Sequence, residues 1–388
     1  MRHLPATILG IFFGIYSLAV KADSPAGYSA LIEQSGTILC SPDSSVNCDL
    51  SAVAWIKNTQ GGELIFGNDK PPKAGKESSV FTISYAGKDF AATASKNFLN
   101  FPPFSLVSKF ESMSITPDGA QLVAMTAFNR FSENDPSLDI FNELISWPSN
   151  APPKGTIVAV TEREGVQSSI TLRTRLAKAI RAKFGDQANY FKMEGLAMLP
   201  GNRIIFGIRE IGQSYTNFDY RAVLLEGKYS LNNGVFLLDD TAELTVIRDF
   251  SENTSQAVGR KVGLSSIEYD ASTRQLYILT SFEDNETRQL GAYLWVLPET
   301  NGVLDNVIHL VKTSDGAPFV FSHKAEGMAV LGKGRVFIIH DDDRNTTNVR
   351  IQGKNGGQLR SRKLNEAAFD ILQICSDQQA IPDCAIQH

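Results

Sequence analysis

The chain has 388 residues, 43% hydrophobic and 20% charged, enough for a sizeable core in one large domain or two average ones. Its formal net charge of -5 argues against a nucleic-acid partner, which normally requires a basic surplus.

Met1, Arg2 and His3 make a short basic start, and residues 4–20 are apolar, interrupted by Pro5, Gly10 and Gly14. Small residues at 20–22 read as a signal-peptidase site, so cleavage after Ala22 is expected and residues 23–388 form the mature domain. The run is short for an anchor and no later segment approaches a membrane span. A secreted or periplasmic monomer, with no membrane partner after cleavage, is therefore expected. The four cysteines fit an oxidising compartment. Three pairings are open; the short Asp-, Ser- and Pro-rich loops between them favour Cys40–Cys48 and Cys375–Cys384.

Leu50 opens "LSAVAWIKNTQGGELIFGND", the first of five related segments. The others are "FESMSITPDGAQLVAMTAF" from Phe110, "MEGLAMLPGNRIIFGIRE" from Met193, "LSSIEYDASTRQLYILTSF" from Leu264 and "AEGMAVLGKGRVFIIHDDD" from Ala325. Each is an apolar strand, a polar turn and a second strand rich in β-branched and aromatic residues, which is a hairpin signature. The anchor positions Ser51, Glu111, Glu194, Ser265 and Glu326 are spaced by 60, 83, 71 and 61 residues.

Two further strand-like runs follow each of the first four hairpins. They are "SVFTISY" and "DFAATAS", "GTIVAVTE" and "SSITLRT", "GVFLLDD" and "AELTVIRDF", and "AYLWVLPE" with "NVIHLVKT". The fifth repeat has only "AAFDILQI", and the N-terminal "YSALIEQSG" supplies its missing outer strand. Four antiparallel strands per repeat define an all-β propeller of five blades in one domain, its ring closed by pairing the chain ends. A sixth blade would have to fit in the 83-residue interval, which holds "SWPSNAPPKG" and the helix-like "LAKAIRAKF".

Long connections leave from the Glu-bearing end of the hairpins, at residues 129–154, 209–220, 251–263 and 341–363, and the opposite turns are short. The elaborated face is the expected binding face. There Glu111, Glu194 and Glu326 converge on the axis, with Asp69, Arg209, Glu283, His340 and Asp341 beside them. Converging carboxylates repel unless compensated. A divalent cation, calcium first, held by Glu111, Glu194, Glu326 and Asp341 is one solution. Ion pairing of Glu194 with Arg209 and Glu326 with Arg344 is the other. A glycine after Glu also allows close backbone approach. Lys178, Arg181 and Lys183 on the helix-like run read as a solvated face.

The hairpins from Met193 and Ala325 resemble the Glu-Gly-Leu-Ala and Asp-terminated strands of phytase-like, esterase-like propeller domains. The resemblance spans the mature chain as a repeat pattern and implies phosphoester or carboxylester hydrolysis. A more distant likeness to lactonase propellers implies a cation at Glu194 and Glu326. The Arg-Gly that often follows the Asp is missing, because Asp69 precedes Lys70 and Asp341 precedes Asp342. No GxSxG, HExxH, Walker or GxGxxG motif occurs.

Two expectations follow. In one, a metal-dependent hydrolase uses Glu194 and Glu326, Arg209 steadies a small anionic or ester substrate, and His323 or His340 moves protons. In the other, a non-catalytic propeller binds a protein, glycan or small ligand, with Tyr215, Phe218 and Tyr220 as anchors. Sequons at Asn253, Asn285 and Asn345 fall in expected loops.

Overall fold

The computed structural model describes residues 27–41, 48–58, 61–70, 78–86, 90, 95–150, 154–284, 289–342, 348–351 and 358–377. The expected signal segment, Cys384, Arg344, Asn285, Asn345 and most of "DFAATAS" lie outside the described residues.

Five antiparallel sheets surround one axis. From the axis outward, blade 1 is Leu50–Asn58, Gly61–Asn68, Val80–Tyr85 and Lys96–Phe98. Blade 2 is Phe110–Ile115, Gln121–Thr126, Leu144–Pro148 and Thr156–Ile157. Blade 3 is Tyr190–Leu199, Arg203–Ser214, Asn217–Asn232 and Thr245–Asp249. Blade 4 is Gly263–Asp270, Gln275–Asp284 and Gln289–Thr300, edged by His309–Leu310 and Val320–Phe321. Blade 5 is Ala325–Gly332, Arg335–His340, Glu366–Ser376 and the N-terminal Tyr28–Leu39. Each innermost strand packs against its counterpart in the next blade, and blade 5 returns to blade 1. The fold is a five-bladed β-propeller.

The hairpin pattern folds this way because neighbouring blades cover both faces of each sheet. Gln121–Thr126 and Gly263–Asp270 are buried at every position, so inner strands read as continuous runs rather than as an in–out alternation. Tight turns join them. In blade 3 Gly201 and Asn202 both take left-handed φ, 77° and 58°, within the three-residue connection between the paired Leu199 and Arg203. Aromatic side chains fill the seams; at blades 5 and 1, Phe337 and Phe369 stack at 5.2 Å while Phe66 meets Phe337 at 6.0 Å.

Ring closure follows the expected register. Tyr28 pairs with Ser376 and Leu39 with Glu366, antiparallel. Cys375 therefore lies at the opposite end of this pair from Cys40, and Cys40 bonds Cys48 at a Cα separation of 5.6 Å. Cys375 is also disulfide-bonded. No described helix is long and apolar enough to cross a membrane.

Several outer elements depart from expectation. "SSITLRT" is not a strand; it opens the helix Ile170–Phe184, because Leu172, Leu176 and Ile180 repeat at helical spacing against the blade 2–blade 3 core. The third strand of blade 2 is Leu144–Pro148, inside the segment read as a loop, and "GTIVAVTE" supplies only the short fourth strand. In blade 3 the third strand is Asn217–Asn232, and "GVFLLDD" forms a side ribbon on its tail. The 251–263 connection contains the helix Ser251–Val258, so Asn253 is helical.

Candidate functional site at the axial mouth

One irregularity recurs in all five blades. Pairing of the two innermost strands skips a residue at Ser51, Glu111, Glu194, Ser265 and Glu326. A bulge there leaves the extra residue outside the ladder and re-aims its side chain. The five anchors of the repeat are thus five equivalent bulges around one axis.

The side chains at this end link every pair of neighbouring blades. Lys109 of blade 2 reaches Asp69 of blade 1 at 2.5 Å. Lys192 of blade 3 reaches Glu111 of blade 2 at 3.3 Å and also pairs with Glu194 of its own blade. Arg209 of blade 3 lies 3.5 Å from Glu283 of blade 4, and its Nη1 donates to Ser281 Oγ at 2.7 Å. Lys324 of blade 5 sits between Glu283 at 2.6 Å and Glu326 at 2.7 Å. Ser51 of blade 1 donates to Glu326 of blade 5 at 3.3 Å, which closes the circuit.

The electrostatics follow from this packing. Burial and the neighbouring Glu194 carboxylate push the Glu111 carboxyl well above its usual range. Burial alone would lower the Lys192 ammonium, but Glu111 and Glu194 outweigh it and hold it well above the ordinary value. At Asp69, burial is overcome by Lys109, Lys192 and Lys70, which keep the carboxyl far below the carboxylate range. Glu194 pairs with Arg209 as well, at 3.9 Å, and Glu326 pairs with Lys324, while Arg344 lies outside the described residues. Below the mouth Ser114 of blade 2 donates to Glu268 of blade 4 at 3.0 Å, reaching across the ring.

The expected site residues divide into two places. Glu111, Glu194, Glu326 and Arg209 share the axial network. His323 and His340 belong to a separate pocket of about 160 Å³ beside blade 5, against Asp342 and Asp370. Asp341 is buried at the mouth, its N–H donating to the Lys324 carbonyl at 3.0 Å. Tyr190, Tyr215, Phe218 and Tyr220 form one aromatic cluster on the extended blade 3 hairpin, with Tyr215 exposed. Lys178 pairs with Glu243 on an exposed face.

The residues that sequence reasoning missed are the lysines. Lys109, Lys192 and Lys324 each stand two residues before the blade's glutamate, a Lys-x-Glu repeat in three blades, and Lys70 follows Asp69. That spacing was the available signal. Calcium takes six to eight oxygen ligands. Here the ammonium of Lys192 contacts both Glu111 and Glu194, and that of Lys324 contacts Glu326. Among the described residues no group of three or more His, Cys, Asp or Glu is gathered as a metal cluster.

Fold and site together define a five-bladed propeller with a charge-paired axial mouth. No family model and no curated protein match the sequence. Among solved structures, the chain is similar to a glycoside hydrolase family 62 enzyme in complex with xylotriose: 9% identity, 88% of this chain, 97% of the other, TM-score 0.46. An α-L-arabinofuranosidase from Podospora anserina gives 8% identity over the same shares, 88% and 97%, with TM-score 0.44. The PQQ-bound aldose sugar dehydrogenase from Streptomyces coelicolor gives 12% identity, 90% and 99% coverage, and TM-score 0.40. At these scores the fold rests on the chain's own sheets.

Proposed function

We propose that the axial mouth binds a small anionic ligand, with the ammonium groups of Lys70, Lys109 and Lys192 as its first contacts. The observation that carries this is the layering of charge. The Lys70, Lys109 and Lys192 side chains keep 33%, 16% and 18% of their surface exposed, whereas those of Glu111 and Glu194 keep 2% and 0%. A ligand arriving from solvent meets ammonium before these carboxylates, although Glu283, 28% exposed, sets a negative group at the blade 4 side. Partly exposed cations over a desolvated base attract and orient an anion.

A second reading rests on Glu111. A carboxyl pushed well above its usual range beside a salt-bridged carboxylate suits the acid half of an acid–base pair. With the resemblance to phytase-like propellers, it supports hydrolysis of a phosphoester or carboxylester bound at the same lysines. The ammonium groups of Lys192 and Lys324 contact these glutamates directly.

The test is calorimetric titration of the mature protein with inorganic phosphate, and with p-nitrophenyl phosphate to read turnover, each with added calcium and with EDTA. Binding at millimolar affinity or tighter, weakened fivefold or more by Lys109→Gln or Lys70→Gln, is expected. Absence of binding at 10 mM phosphate contradicts the proposal. Turnover lost in Glu111→Gln supports the second reading, and turnover lost only on chelation supports the calcium expectation.

A further inference from the structure

Arg260 stands just past the helix Ser251–Val258. Gly259 ends that helix with a left-handed φ of 68°, and the Arg260 N–H donates to the Ser255 carbonyl at 3.1 Å. The exposed guanidinium lies 4.0 Å from the centre of the Phe282 ring on blade 4. Stacking on an aromatic face orients it. Its side-chain donors enter no hydrogen bond or ion pair among the described residues. An arginine steadied by a ring, with its planar fork unspent, is set to receive a carboxylate in bidentate fashion.

A cavity of about 490 Å³ opens beside it. Phe282, Leu290, Tyr293, Val320 and Phe321 give it apolar walls. The Phe282 and Tyr293 rings sit 5.8 Å apart on adjacent strands. Gly291, paired with Phe282, allows this closeness. A Cβ there would lie 2.7 Å from Phe282 Cζ and 2.7 Å from the Phe321 carbonyl oxygen, so a side chain would push ring and edge strand apart. No Asp or Glu lines the cavity, and Arg260 is the one charged residue that does. The hydroxyls of Tyr293 and Ser322, both lining residues, have no hydrogen-bond partner among the described residues.

We propose that this cavity binds a small aromatic carboxylate. Its ring lies against Phe282, Tyr293 and Phe321, and its carboxylate takes the Arg260 fork, with the Tyr293 and Ser322 hydroxyls as further donors. Apolar walls with a few convergent polar groups are the usual build of a small-molecule site. An anion is selected over a neutral ring because the lining offers one cation and no carboxylate to balance it. None of the mouth lysines or glutamates lines this cavity, so this site and the anion reading at the axial mouth can fail separately.

The experiment is calorimetric titration of the intact mature protein with phenylacetate, acetate and benzyl alcohol. Phenylacetate is expected to bind at millimolar affinity or tighter, and acetate and benzyl alcohol at least fivefold more weakly. Arg260→Gln should weaken phenylacetate fivefold or more. Ser322→Asp, which sets a carboxylate in the lining from a different element, should do the same. Both positions are exposed, and thermal melts report whether the variants fold. Lys109→Gln at the axial mouth should leave phenylacetate affinity within twofold. Absence of phenylacetate binding at 20 mM overturns the proposal, as does equal affinity for acetate. Unchanged affinity in folded Arg260→Gln or Ser322→Asp also overturns it, and so does a fivefold loss in Lys109→Gln, which would seat the ligand at the mouth.

Discussion

Lys192 of blade 3 holds its ammonium 3.3 Å from Glu111 of blade 2 while also pairing with Glu194 beside it. One side chain thus neutralises two buried carboxyls from different blades. The same device recurs at Lys324, between Glu283 and Glu326. Repulsion among the recurrent glutamates is met by lysines that arrive with them in the repeat.

Removing that ammonium leaves buried negative charge uncompensated. Lys192→Met is expected to lower unfolding free energy by about 3–5 kcal/mol, the cost of breaking a buried ion pair from one side. Adding Glu111→Gln and Glu194→Gln in the same chain should recover most of it. Denaturant unfolding of the single and triple variants checks both statements.

Stability should also fall as pH rises. Burial, with the nearby Asp139, pushes the Glu143 carboxyl up to about 9. Between the ordinary carboxyl range and about 9 the folded chain holds a proton that the unfolded chain has released. Its contribution is complete below the unfolded pKa and is lost toward pH 9, with a slope of at most about 1.4 kcal/mol per pH unit from this proton. Glu111 and Glu268 are shifted in the same direction. Glu143→Gln should flatten the decline, read from melting temperatures between pH 5 and pH 9.

The glycines that follow two of the glutamates are packing devices. A Cβ on Gly195 would lie 2.9 Å from Ile267 Cγ1 and 3.2 Å from the Gly207 Cα; one on Gly327 would lie 2.8 Å from the Ser51 carbonyl oxygen. Gly327→Ala should cost about 1–3 kcal/mol through overpacking, and more than Gly195→Ala, because a backbone oxygen gives less readily than a side chain. Equilibrium unfolding ranks the two.

The Cys40–Cys48 bridge closes a loop over a sequence separation of 8. Replacing both cysteines by serine should cost about 2–3 kcal/mol by loop-closure entropy. The fold should persist, since Tyr28–Leu39 stays paired along Glu366–Ser376. A melt of the double variant, with circular dichroism for retained strand, reads the outcome.

The inner half of each blade was legible in the sequence because its hairpins repeat a buried pattern set by blade stacking. The outer strands were not. They are short, as with Thr156–Ile157 and His309–Leu310, and make too few contacts to impose a pattern. "SSITLRT" carries β-branched residues yet is helical, since packing against the blade 2–blade 3 core overrides local preference. At the mouth the glutamates were visible as a repeat. Their bulges and lysine partners were not, because a bulge leaves no composition mark and each lysine reads as an ordinary surface residue. The histidines were visible but were assigned to the axis; only the fold shows that Asp342 and Asp370 draw them aside.

The most direct test of the shared mouth is a double-mutant cycle between Lys192 and Glu111, residues 81 positions apart in the chain and on separate blades. With Lys192→Met and Glu111→Gln, singly and together, a coupling energy of at least about 1 kcal/mol is expected for side chains in contact. Additivity within about 0.3 kcal/mol would mean that the two side chains do not meet, and the convergent axial site would be contradicted.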